Sequence, residues 1–333
     1  MKLTAIIFTL ALASSALRAL PPYAPEALRS GEAGDEKIEM LKFGDFNSWV
    51  VRPMKESRLL GANDVTLYAI GPNKTLPLNT PYTPQGGSPW ATSNVMASPA
   101  GIVKTNISVY REARAGHGYC AKLYTHFVEC KALGMVNIRV LAAGSIFLGE
   151  MQEPIKGASN PMAKLDCGIK FTRRPKAVMF DYKVKLAGTS SRVKKGTGRE
   201  TTVSGMDQCD CVLLLQKRWE TPDGKIHALR VGTMVVRWNR NTADWVNNAR
   251  YTIHYGDITA QPFYKSYMGM CRGDDQKYAK NSKGKIVEII EEGWADAEET
   301  PTHLCLQFDS SHGGAYVGSV GNTLWVDNVR LVY

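Results

Sequence analysis

The strongest constraint on this chain is a side-chain period of two. In the stretch from Val178 to Leu186, Val178, Phe180, Tyr182, Val184 and Leu186 take even positions, while Asp181, Lys183 and Lys185 take odd ones. Leu304, Leu306 and Phe308 alternate with His303, Cys305 and Gln307. Tyr251, Ile253 and Tyr255 alternate with Thr252 and His254. Successive side chains of a strand point to opposite faces, so this pattern describes strands with one apolar face. Met135 to Leu141, Cys211 to Leu215 and Gly232 to Trp238 read as further strands. Asn160-Pro161, Pro222-Asp223-Gly224, Gly273-Asp274 and Gly313-Gly314 supply turns between them. Many short antiparallel strands with one polar face predict an all-β sandwich or barrel.

Helical periodicity is scarce. Ala158 to Leu165, with Ser159 as N-cap and Pro161 near the start, predicts one short helix, and Val287 to Ala297 a weaker one. Residues 20–40 read as a linker, and residues 71–90, with five prolines, as a long irregular loop. Nothing divides residues 41–333, so a single large domain with long loops is expected. The N-terminus has the form of an export signal. Lys2 precedes the apolar run Ile6 to Ala13, small residues follow, and cleavage is expected near Ala16 or Ala19, which assigns residues 1–19 to a signal peptide. The expected location is periplasmic, secreted or cell-surface. The first cysteine is Cys120, so no lipid-anchor cysteine follows the signal. No apolar run beyond it suits a membrane span. The net charge of +10 favours anionic partners, but the basic residues are spread along the chain, and no nucleic-acid function is expected. Seven cysteines cannot all pair within one chain. Most lie in apolar strand patterns and are expected as buried thiols, with room for one or two disulfides after export.

The two ends of the body carry related oddities. Near the start stands Phe43-Gly44-Asp45-Phe46-Asn47-Ser48-Trp49. In the last strand Leu324 and Val326 take even positions but Val329, Leu331 and Tyr333 odd ones, so parity changes at Asp327-Asn328. Either a bulge sits there or Asp327 points inward. A buried carboxylate must be hydrogen-bonded, paired or metal-bound. Asp45, Asn47 and Asp327 are oxygen donors that would suit a structural calcium ion; the alternative is that they serve ordinary turns.

The opening FGDFNSW, the segment SPWATSN from Ser88 to Asn94, the central run from GMVNIRVLAAGSIFLGE through NPMAKLDCGIKFTRRPKAVMFDYKVKL, and the ending LCLQFDSSHGGAYVGSVGNTLWVDNVRLVY together resemble the putative carbohydrate metabolism domain family. The resemblance spans about Phe43 to Tyr333. It implies a jelly-roll β-sandwich exported by Bacteroidetes bacteria and active on, or binding to, glycans. Trp90, Thr92 and Asn94 match the W-x-T-x-N pattern of that family, whereas Asn47 stands where the family's opening often has an acid. Some members carry an additional N-terminal immunoglobulin-like domain, for which the residues before Phe43 leave no room.

A sugar offers apolar C–H faces ringed by hydroxyls, so its site needs an aromatic platform beside planar polar groups. Trp90 with Asn94, and Trp49, are the expected glycan-binding residues; Trp219, Trp238 and Trp245 lie near polar turns. The leading expectation is a glycan-binding module. A second is a glycoside hydrolase, which needs two carboxylates flanking the scissile bond on a concave sheet face. Glu150, Asp181 and Asp210 are the catalytic candidates, with Glu153, Asp166, Asp257 and Asp309 also available, and spacing alone pairs none of them. A third is a structural or adhesion component of the cell surface. No required cofactor is indicated.

Overall fold

A computed structural model describes residues 36–98, 101–132, 136–157 and 160–333. The proposed signal peptide and most of the linker lie outside them. Two large β-sheets dominate. The smaller runs Val246–Thr252, Ala177–Lys185, Thr323–Val332, Gly118–Tyr124 and Val109–Arg114, with Ile38–Met40 added beside Thr323–Val332. The larger runs Leu165–Cys167, Ser145–Met151, His303–Asp309, Cys209–Glu220, Ile226–Trp238, Ile286–Trp294 and Tyr278–Lys280. Trp90–Thr92 adds to Ser145–Met151. All the long pairings are antiparallel except that between Ile226–Trp238 and Ile286–Trp294. Among the described residues the only helical pieces are 3-10 turns of three or four residues.

The apolar positions of the two sheets face one another. Phe180, Tyr182 and Val184 of the smaller sheet join Leu324, Val326, Val329 and Leu331 from the same side. Across from them lie Cys209, Cys211, Leu213 and Leu215 with Leu304, Leu306 and Phe308. Phe180 meets Phe308 edge-on at 4.9 Å between ring centroids, and Tyr182 lies 4.7 Å from Trp238. The expected all-β sandwich is therefore present.

The parity change in the last strand is a bulge. Met179 pairs with Arg330, but the next pairing is Asp181 with Asp327, so Asn328 and Val329 on one strand oppose Phe180 alone on the other. Asn328 absorbs the extra residue with a φ of 53°. The bulge keeps Val326 and Val329 both on the core side. The ends of the body meet at this strand: Ile38 pairs with Val332, and Gly44 and Val329 exchange a backbone hydrogen bond of 2.8 Å. A Cβ at Gly44 would lie 2.7 Å from the Val329 carbonyl oxygen, so the approach requires glycine.

Several local expectations change. Ile38–Met40 is a paired strand inside the stretch read as a linker. Val287 to Ala297 is mostly strand, because Ile286–Trp294 fills a place in the larger sheet rather than forming a helix. The short helix at Ala158 reduces to the 3-10 turn Pro161–Lys164, capped by Asn160, whose side chain accepts from the Ala163 amide; Ala158 and Ser159 are outside the described residues. All seven cysteines are buried free thiols.

The parallel pairing in the larger sheet is locked by charge. Arg230 donates to Glu291 through Nε at 2.7 Å and Nη2 at 2.5 Å, and neither residue reaches solvent. The Gln216 side chain and the Cys271 amide complete the carboxylate's bonding. Truncation of one member strands the other's charge in the interior. Glu291→Ala is expected to lower unfolding free energy by about 3–5 kcal/mol, read from the midpoint of a urea transition at unchanged slope.

Candidate active site

The second face of the larger sheet carries the unusual chemistry. Odd residues of Cys209–Glu220 enter the main core, so Asp210, Val212, Leu214 and Gln216 point the other way. In His303–Asp309 the same parity sends Cys305, Gln307 and Asp309 to that second face. Pairing then forms rows. Ser145, Asp309, Asp210 and Arg237 stand side by side on four neighbouring strands, and Phe147, Gln307, Val212 and Val235 form the next row. Two carboxylates directly opposed on antiparallel strands have Cβ atoms about 4.5–5.5 Å apart.

These rows form part of the wall of a cavity of about 320 Å³. Tyr267, Asp275 and Lys277 border it from the segment folded over the sheet. The hairpin of His126–Ala132 and Val136–Ala142 contributes the aliphatic side chains of Val128, Ile138 and Val140. Its size and mixture of apolar wall and few polar groups suit a small-molecule site.

Around the acid pair the bonding is uneven. Lys277 donates to the Gln307 Oε1 at 2.8 Å, and Gln307 Nε2 donates to Asp309 Oδ1 at 3.0 Å. Arg237 Nε lies 3.4 Å from Asp210 Oδ2, with its guanidinium 4.2 Å over the Tyr267 ring. Asp210 Oδ1 is buried without a hydrogen-bond partner, on a residue only 3% exposed. Burial, and next the charge of Asp309, push the Asp210 carboxyl well above the usual carboxylate range. Burial also raises Asp309, against the opposing pull of Ser145, Gln307 and Lys277. Two close carboxyls in low dielectric do not both ionise readily, so the pair can hold a proton at neutral pH.

His312 borders the same cavity, and its environment is structural. Asp207 accepts from the Gln208 amide at 3.0 Å, Ser311 Oγ at 2.9 Å, the Ser319 amide at 2.6 Å and Asn322 Nδ2 at 3.0 Å. His312 Nδ1 lies 3.1 Å from the same carboxylate. Asp207 thus ties Ser311 and His312 to Ser319 and Asn322, which lie between the strands that follow.

The other expected site residues lie elsewhere. Trp90 is 0% and Trp49 1% exposed, and their indole N–H groups donate to the Lys42 and Phe46 carbonyls. Asn94 is 2% exposed and bonds the Tyr68 and Val109 carbonyls and the Ser108 and Val109 amides. This W-x-T-x-N segment is a structural corner, and the expected sugar platform at Trp90, Trp49 and Asn94 is withdrawn: their surfaces are used inside the protein. Trp219, by contrast, is 42% exposed, stacked on His227. Glu150 is on an exposed strand position, paired with Lys280 Nζ at 3.0 Å. Asp181 is buried on the outer face of the smaller sheet, away from the cavity wall.

Asp181 and Asp327 share Arg114, whose Nη1 donates to them at 2.9 and 2.6 Å. Burial pushes Asp327 up to about 6, with Arg114 opposing. The charge partner of Asp327 is therefore an arginine, whereas Asp45 and Asn47 bond each other within their turn and Asn47 Oδ1 accepts from the Tyr119 amide. A calcium site shared by Asp45, Asn47 and Asp327 does not fit this arrangement. Among the described residues no group of three or more His, Cys, Asp or Glu is placed to hold a metal.

The residues that sequence reasoning did not join are Asp309, Arg237 and Lys277. The available signal was Asp210 within Cys-Asp-Cys-Val-Leu-Leu-Leu, an acid in a strand apolar on both faces.

The profile of the putative carbohydrate metabolism domain matches residues 74–332. The chain belongs to that family. Its members' label places this domain in carbohydrate-related function. No curated protein matches the chain. Among solved structures it is similar to one named as a putative glycoside hydrolase from Bacteroides thetaiotaomicron VPI-5482, at 18% identity and a TM-score of 0.41, over 69% of this chain and 58% of that one. A second, named likewise and from Bacteroides vulgatus ATCC 8482, aligns at 16% identity and a TM-score of 0.41, over 67% and 76% of the two chains. The chain thus spans little more than half the length of the first.

The raised acid pair has a thermodynamic signature. Above about pH 4 the unfolded chain has released its aspartyl protons while the folded domain retains one at the pair, so stability falls as pH rises toward the folded-state value. Asp210→Asn is expected to raise the melting temperature at pH 7–8 and to flatten its decline between pH 5 and 8, measured by calorimetry.

Proposed function

We propose that this carbohydrate metabolism domain cleaves glycosidic bonds in the cavity on the second face of the larger sheet, with Asp210 and Asp309 as its paired acids. The observation that carries the reading is the buried, unbonded Oδ1 of Asp210 facing a cavity beside a second carboxyl. An orphan polar atom in a native interior calls for a partner, and a substrate oxygen is one. Asp210, the more strongly raised of the two, is the proton donor to the leaving oxygen. Asp309, whose Oδ1 accepts from Gln307, is the ionised member that meets the positive charge developing at the anomeric carbon. Their cross-strand adjacency favours the closer separation, about 5–5.5 Å, at which the second carboxylate acts as nucleophile and the sugar configuration is retained. Arg237 and Lys277, the latter through Gln307, set the local field, and Tyr267 offers a ring beside it.

The test is turnover of a panel of aryl glycosides. Asp210→Asn and Asp309→Asn are each expected to lower kcat about 10²- to 10⁴-fold in a domain that remains folded. Full activity in both variants would overturn the assignment. Substrate affinity retained in Asp210→Asn without turnover in any form of the protein would support binding alone.

We also propose that the domain works outside the cytoplasm, supported by the Lys2 and Ile6–Ala13 pattern, which lies outside the described residues. Terminal sequencing of the exported protein is expected to begin at residue 17 or 20. Recovery of residue 1 at the terminus of the active protein would remove this reading. Among the described residues, no helix is long and apolar enough to cross a membrane.

A further inference from the structure

On the opposite side of the molecule, the outer face of the smaller sheet carries a row of alternating rings and amines. Lys183 is in register with Trp325, Trp325 with Lys122, and Lys122 with Tyr110. Trp245 extends the row beyond Lys183. Lys183 Nζ lies 4.4 Å from the Trp325 ring centroid and 5.6 Å from that of Trp245. Lys122 Nζ lies 5.7 Å from Trp325 and 5.9 Å from Tyr110. Lys185, exposed, starts the next row, in register with Thr323 and through it with half-buried Tyr124.

The row has a fixed geometry. Each ammonium is held between two rings, which restricts long side chains that would otherwise be mobile. Trp325 is itself oriented by its indole N–H, which donates to Glu112 Oε1 at 2.7 Å. Neighbouring strands are about 4.8 Å apart, so Lys122 and Lys183, two strands apart, stand ~10 Å from each other, roughly one disaccharide of an extended chain. The charge is unbalanced. Lys122 pairs with Glu112 at 2.7 Å, whereas Lys183 and Lys185 form no salt bridge among the described residues. Arg114 at the end of the row is spent on Asp181 and Asp327, and its guanidinium lies 3.9 Å over the Trp245 ring.

We infer that this face binds a linear acidic glycan, with Lys122 and Lys183 meeting carboxylates on alternate sugars and Lys185 adding positive charge beside them. The inference rests on the carbohydrate-related class of the domain and on the charge of the row, and it is independent of the acid pair in the cavity. A single-stranded nucleic acid also combines anionic charge with flat rings, but it needs free aromatic faces for stacking, and here Lys183 lies over Trp325, Arg114 over Trp245 and Lys122 over Tyr110.

The full chain should be titrated by calorimetry with polygalacturonate, with a neutral glucan of equal length and with an oligothymidylate. Polygalacturonate is expected to bind, more weakly as salt rises. The double variant Lys122→Gln/Lys183→Gln, with an unchanged melting temperature, is expected to lose at least tenfold in affinity, and Asp210→Asn is expected to bind as the parent does. Loss of aryl-glycoside turnover in Asp210→Asn with retained polygalacturonate affinity separates this surface from the cavity. No binding of polygalacturonate, equal binding of the neutral glucan, equal or tighter binding of the oligothymidylate, or undiminished affinity in the folded double variant would each overturn the proposal.

Discussion

The register between Cys209–Glu220 and His303–Asp309 governs this molecule. A slip of one residue would exchange the two faces of each strand. Leu213, Leu215, Leu306 and Phe308 would leave the sandwich core, and Asp210 and Asp309 would enter it. The cost of burying those acids opposite Phe180 and Tyr182 specifies the pairing as firmly as the apolar contacts reward it. The same register that builds the core therefore also builds the acid row. Fold and site are set by one alignment of two strands.

Buried charge is common in this protein, and the manner of its satisfaction separates structural groups from the candidate site. Glu291 is bonded by Arg230, Gln216 and a backbone amide. Asp207 accepts from four donors. Asp181 takes bonds from the Asn248 amide, Asn328 and Arg114, which hold it below the usual carboxylate range against the opposing effect of burial. Each of these sites is closed. Asp210 is buried as deeply but left incomplete, at the edge of open volume. Natural interiors rarely leave such a gap without a use for it.

The period of two made the sandwich legible, together with most strand positions and the irregularity at Asp327-Asn328. The bulge was readable because parity is a local property of eight or nine residues. What loops cover is not local. Trp90 and Asn94 lie in a proline-rich stretch that resembles an exposed loop, yet it folds against the Phe46 and Trp49 corner: Phe46 packs on Trp90 at 5.4 Å. The polar look of Asn94 reflected four backbone partners rather than a ligand. Asp210 was visible as a candidate, but its partnership with Asp309, nearly a hundred residues on, depends on which strands become neighbours. Arg237 and Lys277 carried no motif at all. Ile286–Trp294 was misread because one of its buried positions is Glu291, an acid paired with Arg230, so its inward face does not read as apolar.

The position of Thr323–Val332 has a kinetic consequence. This segment is the inner strand of the smaller sheet, held between Ala177–Lys185 and Gly118–Tyr124, and Ile38–Met40 docks on it as well. During synthesis its neighbours emerge long before it does. Until it arrives they lack their shared partner, and Phe180 and Leu123 lack the apolar layer that Leu324 and Val326 supply. The nascent chain must therefore stay open until this strand has emerged, and the sandwich closes by long-range pairing, a slow class of folding event. An incomplete chain of this kind is a natural client for holding chaperones.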